Sequence, residues 1–353
     1  MSDLTARFTA FRAENPSTRI RTAAREMGVS EAELVATGID GSVTRLSRPG
    51  NNWRALLHEL EPLGEVMALT RNDACVHEKK GVYENIYTDL PHGMGMVLDE
   101  PIDLRLFCAR WASGFAVVTP WEGGPDGLRR SLQFFDAYGD AVHKVFLTRK
   151  SDVAAYDAFV ATNAASDASP LAVESRPEAA AETPDAEIDA DALLTEWAGL
   201  QDTHDFFPML RTHGVARTQA LRLAEGRFTE RADALAVRRA LEAAVETETP
   251  IMVFVGNPGA VQIHTGPVKK LMERGPWFNV LDPGFNLHLN ESQIANAWVV
   301  VKPSEDGDVT AIEAYDADGQ QIVQLFGKRK PGIPELEAWR EIVADLPRAG
   351  VPA

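Results

Sequence analysis

The clearest pattern in the chain is a short alternation of apolar and polar positions on either side of a glycine turn, and it occurs twice. Leu132-Gln133-Phe134-Phe135 and Val142-His143-Lys144-Val145-Phe146 flank Asp136-Ala137-Tyr138-Gly139. Thr310 to Tyr315 and Gln321 to Phe326 flank Asp316-Ala317-Asp318-Gly319 in the same way. Such alternation around a turn glycine predicts a β-hairpin. Helical spacing precedes the strands in both halves: Leu4 to Met27 and Glu31 to Thr37, then Leu193 to His213, Thr218 to Ala224 and Ala232 to Ala244. Pro16 breaks the first run, Gly28 and Gly214 mark matching stops, and Leu336 to Leu346 closes the chain as a helix.

Further blocks repeat in the same order. Asn72-Asp73-Ala74-Cys75-Val76-His77 faces Asn257-Pro258-Gly259-Ala260-Val261-Gln262, with Gly81 facing Gly266. Leu98-Asp99-Glu100-Pro101 with Leu104-Arg105-Leu106 faces Leu281-Asp282-Pro283 with Leu287-His288-Leu289. Phe146 and Arg149 then face Phe326 and Arg329. Several blocks in one order predict an internal duplication. The fold class expected is α+β, two tandem homologous repeats, each a large antiparallel β-sheet with a helical layer. The repeats are placed at 1–160 and 192–353, each expected to fold when expressed apart. The Ala, Pro and acidic stretch 161–191, with Pro170, Pro177 and Pro184, reads as a solvated linker.

Charge narrows the possible partners. A net charge of -17 opposes binding to a phosphate backbone, so no nucleic-acid partner is expected. It leaves room for a small anion held by a few converging cations. No segment reaches the roughly 18 apolar residues of a membrane span, and the N-terminal stretch carries charges where a signal peptide needs an apolar block. A cytoplasmic protein without membrane insertion is expected, monomeric or homodimeric. Cys75 and Cys108 lack metal-ligand spacing and read as buried thiols.

No Walker loop, Gly-x-Gly-x-x-Gly, His-Glu-x-x-His or Ser-His-Asp arrangement is present, which leaves the eight histidines and the cations. His204 stands out in Trp197-Ala-Gly-Leu-Gln-Asp-Thr-His204-Asp-Phe206-Phe207. Read as a helix, this segment sets Leu200 and Phe207 beside the imidazole as an apolar wall. Haem iron takes such a nitrogen ligand, and a core-facing histidine has the same pattern.

Four blocks break that tie. Thr203-His204-Asp205-Phe206-Phe207, Phe254-Val-Gly-Asn257-Pro-Gly-Ala-Val-Gln262-Ile-His264-Thr-Gly266, Gly275-Pro-Trp277-Phe-Asn-Val-Leu-Asp282-Pro and Lys302-Pro-Ser-Glu-Asp-Gly307 resemble the signature blocks of the cytoplasmic haemin-degrading and haemin-transport family of bacterial haem-uptake systems. Arg71-Asn-Asp-Ala-Cys-Val-His77-Glu and Asp103-Leu-Arg105-Leu-Phe match it in the first half. The resemblance implies haem (iron protoporphyrin IX) as ligand or substrate, with His204 as the axial metal ligand. It implies Arg105, the catalytic candidate, at the opposite haem face. Arg217, Lys302 and Arg329 fall on the cations of the propionates and pocket, and Phe254, Gln324 and Phe326 on further haem contacts. Phe326 departs from a common tyrosine there. His77 is a candidate for a second haem contact, while His264 and His288 suit strand packing.

Two functions follow from the resemblance. One is opening of the macrocycle to free iron, which needs an external electron donor because the chain has no flavin or nicotinamide motif; a reductase would be the partner. The other is haem carriage or storage downstream of an inner-membrane haem ABC transporter.

Overall fold

The computed structural model describes residues 3–47, 50, 52–166, 171–178, 181–330 and 332–348. Two compact units emerge, neither of them a continuous half of the chain. The first comprises Met1–Arg71, His77–Pro177 and Gly256–Gln262; the second comprises Asn72–Val76, Glu178–Val255 and Ile263–Ala353. Each unit thus takes in a hairpin tip from the other half of the sequence.

In the first unit three helices, α1 (Asp3–Glu14), α2 (Ile20–Met27) and α3 (Glu31–Ala36), lead into β1 (Ser42–Leu46). There follow β2 (Gly64–Arg71), β3 (Cys75–Gly81), β4 (Ile86–Tyr87), β5 (Met94–Leu98), β6 (Asp103–Phe107), β7 (Trp111–Pro120), β8 (Leu128–Asp136), β9 (Ala141–Ser151) and α4 (Val153–Asn163). The strands run in the spatial order β1-β7-β8-β9-β2-β3, with β4-β5-β6 as a shorter antiparallel run. Ser30 starts α3 with a capping box: its hydroxyl accepts from Glu33 N while Glu33 accepts from Ser30 N. The core collects Trp111, Phe134, Leu104, Leu106 and Tyr156, the inward members of alternating strands and of α4, together with Trp53 from the 3-10 helix Trp53–Glu59.

The second unit repeats the plan. It has α5 (Ala190–Ala198), α6 (Phe206–Thr212), α7 (Arg217–Leu223), β10 (Thr229–Ala232), α8 (Ala236–Glu246), β11 (Ile251–Asn257), β12 (Ala260–Gly266) and β13 (Leu271–Arg274). Then come β14 (Trp277–Leu281), β15 (Phe285–Asn290), β16 (Asn296–Lys302), β17 (Val309–Tyr315), β18 (Gln321–Gly327) and α9 (Glu337–Ala344). Its long run is β10-β16-β17-β18-β11, and β13-β14-β15 is the short one. The sheet is covered on one face by α8 and α9, through Val237, Leu241, Trp339 and Ile342, and on the other by α5 to α7, through Trp197, Phe206, Leu210 and Leu221.

The duplication is visible in local geometry. Gly139 and Gly319 both take positive φ, 75° and 73°, in turns where Asp136 and Asp316 accept two backbone N–H groups each through one side-chain oxygen. Gly28 and Gly214 both end helices in the left-handed region, with Val29 N reaching Ala24 O and Val215 N reaching Leu210 O. Asn72 and Asn257 each fold a hairpin tip on their side-chain oxygen. Their amides then donate to matching acceptors in β18 and β9, Ile322 O at 2.8 Å and Val142 O at 2.9 Å.

Two expectations need correction. The helix read from Leu193 to His213 is broken, because Gly199 ends α5 and the Asp202 side chain caps a separate 3-10 turn, Thr203–Asp205, before α6 starts. The segment read as a solvated linker is also fastened in places. Its first residues finish α4, Arg176 pairs with Asp140, and Asp185 binds Arg222 and Gln219, which hold the Asp185 carboxyl at about 2. Residues 167–170, with Pro170, and 179–180 lie outside the described residues. Among the described residues no helix is long and apolar enough to cross a membrane.

Candidate functional site

The register of the second sheet sets the site. Trp298, Glu313, Gln324 and Phe254 lie opposite one another across β16, β17, β18 and β11, on the face covered by α5 to α7. The next row in the same direction is Val300, Ala311, Phe326 and Met252. Period two therefore puts Gln324 with Phe326, and Lys302 with Trp298 and Val300, on this face. Phe254 and Phe326 meet edge to face with centroids 5.0 Å apart.

Glu313 is the centre of this surface. Its side chain is fully buried, which a carboxylate tolerates only when cations and donors replace water. Arg217, the first residue of α7, donates from Nη2 to Glu313 Oε1 at 2.6 Å and from Nε to Oε2 at 3.0 Å. Lys302 Nζ lies 2.9 Å from Oε1, as does Gln324 Nε2. The Tyr315 hydroxyl donates to Oε2 and accepts from Arg217 Nε at 2.7 Å. Burial works to raise the Glu313 pKa, but the Arg217 and Lys302 charges outweigh it and hold the carboxyl well below its usual range. Burial likewise pulls the Lys302 ammonium down, to about 8, against the support of Glu313. Both cations also sit over the Phe206 ring, Lys302 at 4.6 Å and Arg217 at 5.2 Å.

Phe206 ties this cluster to His204, two residues earlier. The apolar wall expected around His204 is not formed. The imidazole projects from the 3-10 turn with its side chain 90% exposed, Leu200 is buried in the core, and Phe207 is 57% exposed. What orients the ring is Asp202, whose Oδ1 accepts from His204 N at 2.8 Å and from His204 Nδ1 at 2.6 Å. A carboxylate can only accept, so Nδ1 carries a proton, and in the neutral imidazole the lone pair is on Nε2. The His204 contacts and the Arg329 charge hold Asp202 below the usual carboxylate range. Arg329 is itself within 3.6 Å of Asp306, in a loop anchored by Glu305 N to Gln201 O at 2.9 Å. Among the described residues no group of three His, Cys, Asp or Glu side chains could hold a bare ion. One oriented histidine suits a metal whose other ligands come from a macrocycle.

The second unit holds seven of the nine candidates: His204, Arg217, Phe254, Lys302, Gln324, Phe326 and Arg329. Arg105 and His77 belong to the first unit. Arg105, on β6, pairs with Asp103, and His77, on β3, is fully buried. His288 Nδ1 bonds Asn279 and His264 stacks on Phe285 at 3.9 Å, so both are engaged in the sheets.

Glu313 and Tyr315 were not among the residues picked out from the sequence. The repeat alignment holds the signal, since their counterparts are the uncharged Gln133 and Phe135. At the place of Arg217 the first unit has Glu31, and at the place of Gln324 it has Lys144, which pairs with Glu31. Both units thus tie helix to sheet with a buried ion pair, with the signs exchanged.

Two units that each tie a helix to an antiparallel sheet by a buried ion pair, one of them presenting an oriented exposed histidine, define a two-repeat α+β protein. Comparison with known proteins gives the family. The model of the haemin-degrading HemS/ChuX domain matches residues 28–163 and again 214–346, and the chain belongs to this family. It is 39% identical to the hemin transport protein HemS of Yersinia enterocolitica over 95% of this chain and 94% of that protein. Holo-PhuS, a heme-binding protein from Pseudomonas aeruginosa, superposes with a TM-score of 0.92 at 48% identity, covering 98% of this chain and 99% of PhuS. The heme-degrading enzyme ChuS of Escherichia coli gives 0.87 at 36% identity, covering 97% and 98%.

Proposed function

We propose that this chain is a cytoplasmic haem-binding protein that takes up imported haem through His204 and degrades it to release iron. The observation that carries this is the Asp202-bound Nδ1 of His204, which leaves a basic Nε2 directed away from its partner on an exposed side chain. A carboxylate behind an imidazole fixes the tautomer and raises its basicity toward iron. Phe207 and the Phe254 and Phe326 pair offer apolar surface for a porphyrin. Arg217, Lys302 and Arg329 supply charge for its propionates, and Gln324 a further polar contact. The assignments of Arg105 as catalytic residue and of His77 as a second haem contact rest on the resemblance of their sequence blocks.

A single histidine leaves the iron a position for oxygen, and the electrons must come from an external donor such as a reductase. The second reading is a carrier supplied by an inner-membrane haem transporter, and the name of the Yersinia relative favours it. Adding a reductant to the purified haem complex separates the two. Loss of the Soret band with release of iron is expected of the enzyme. A reduced complex whose porphyrin survives would establish the carrier and refute degradation.

A further inference from the structure

We propose that Glu313 is the positioning residue of the anion site: from β17 it holds Arg217 and Lys302 converged and charged. This rests on the haem reading above and deepens it, because a propionate carboxylate takes charge-assisted hydrogen bonds from a guanidinium and an ammonium together.

The geometry supports a role beyond packing. Glu313 reaches both cations through the same Oε1, at 2.6 Å and 2.9 Å, so it sets their spacing. Oε2 is held by Tyr315 and by Arg217 Nε, and Gln321 Nε2 lies 3.3 Å from it. The fold itself does not demand a carboxylate here, since Gln133 fills the equivalent strand position in the first unit and is also buried. What the carboxylate does is keep a buried lysine protonated. The groups facing Lys302 are Glu313 from β17, Arg217 from α7 and the Phe206 ring from α6. Only Glu313 among them is negative, so without it burial and Arg217 both act to remove the Lys302 proton. Without Glu313 the ligand's carboxylate would meet a charged Arg217 but a neutral Lys302 at neutral pH.

The test is haem titration of the full-length protein between pH 6 and 9, for wild type, Glu313→Gln and Lys302→Arg. Wild-type affinity should hold to about pH 8 and then fall by up to about tenfold per pH unit as Lys302 loses its proton. Lys302→Arg, whose charge does not titrate, should flatten that fall. Glu313→Gln should bind within about threefold of wild type at pH 6 and at least about fivefold more weakly at pH 8, the fall moving at least about one pH unit lower. A Glu313→Gln curve parallel to wild type, or weakened equally at every pH, overturns the proposal. If Glu313→Gln does not melt cooperatively, the arginine variant decides: an unchanged alkaline fall overturns it, and a flattened one supports it. The spectrum at pH 6 keeps the two readings apart. A wild-type spectrum that does not depend on His204 would sink the haem reading and this proposal with it. A His204-dependent spectrum with coincident pH profiles would sink this proposal alone.

Discussion

Replacing Arg217 by alanine should be among the most destabilising changes in the second unit, and the cause can be isolated. The guanidinium makes two hydrogen bonds to Glu313 and one to Tyr315, and the side chain is 17% exposed while that of Glu313 is not exposed at all. Its loss leaves a buried carboxylate that keeps Lys302, Gln324 and Tyr315 as partners. Breaking one side of a buried pair in this way costs about 3–5 kcal/mol, mostly the penalty of the charge left behind. Glu313→Ala should cost a similar amount, because Lys302 and Arg217 are then uncompensated. The double variant should be less destabilised than the sum of the two, by about 2 kcal/mol or more, since neither the orphaned carboxylate nor the repulsion between Arg217 and Lys302 remains and only Lys302 is left without its anion. Urea unfolding at pH 7 measures all three. The pH dependence supplies a second check. The folded Glu313 carboxyl titrates below its unfolded value, so its contribution is present above the unfolded pKa, near 4.5, and is lost as pH falls below it. The acid-side loss of stability should therefore be shallower in Glu313→Ala. Additive costs in the cycle, with an unchanged acid limb, would refute the idea that these charges are coupled.

Two further predictions concern other buried or orienting histidine contacts. In the first unit His143 is buried between Thr70 Oγ1 at 2.9 Å and the Tyr83 hydroxyl at 2.6 Å, and burial drives its pKa down to about 3. Tyr83→Phe should cost about 1–3 kcal/mol in urea unfolding. Because the unfolded histidine takes a proton near 6.5 that the folded one refuses, stability from this group should fall by about 1.4 kcal/mol per pH unit below that value. A Tyr83→Phe protein as stable as wild type would count against the contact. Asp202→Ala should weaken haem binding by about 10–100-fold with little change in melting temperature, as expected when the group behind a metal-ligating histidine is removed. Equal haem affinity would show that Asp202 does not prepare His204.

The sequence carried the duplication well because its markers are local. Glycines needing positive φ, asparagines that close tight hairpins and aspartates that cap turns are each dictated by a few neighbouring residues. Arg217, Lys302, Gln324 and Phe326 were found through family blocks and strand period; the sheet puts Lys302, Gln324 and Phe326 on one face, and α7 brings Arg217 to it. Glu313 escaped notice because a carboxylate between Ile312 and Ala314 looks like the polar face of a half-exposed strand. Yet Ala311 and Tyr315, on its own face, are apolar enough to have signalled a strand covered on both sides. The setting of His204 was misread for a different reason: helical periodicity runs through Gly199 and Asp202, but both residues favour ending or capping a helix. The exchanged hairpin tips depend on partners 250 and 115 positions away, which periodicity cannot reveal.

The central claim is that His204 is the axial haem ligand, and the most direct measurement is an absorbance titration of haem into wild type, His204→Ala and His288→Ala. His204→Ala should lose affinity and change the Soret band, while His288→Ala, whose imidazole is held by Asn279, should match wild type. A His204→Ala spectrum identical to that of the wild type would contradict the assignment.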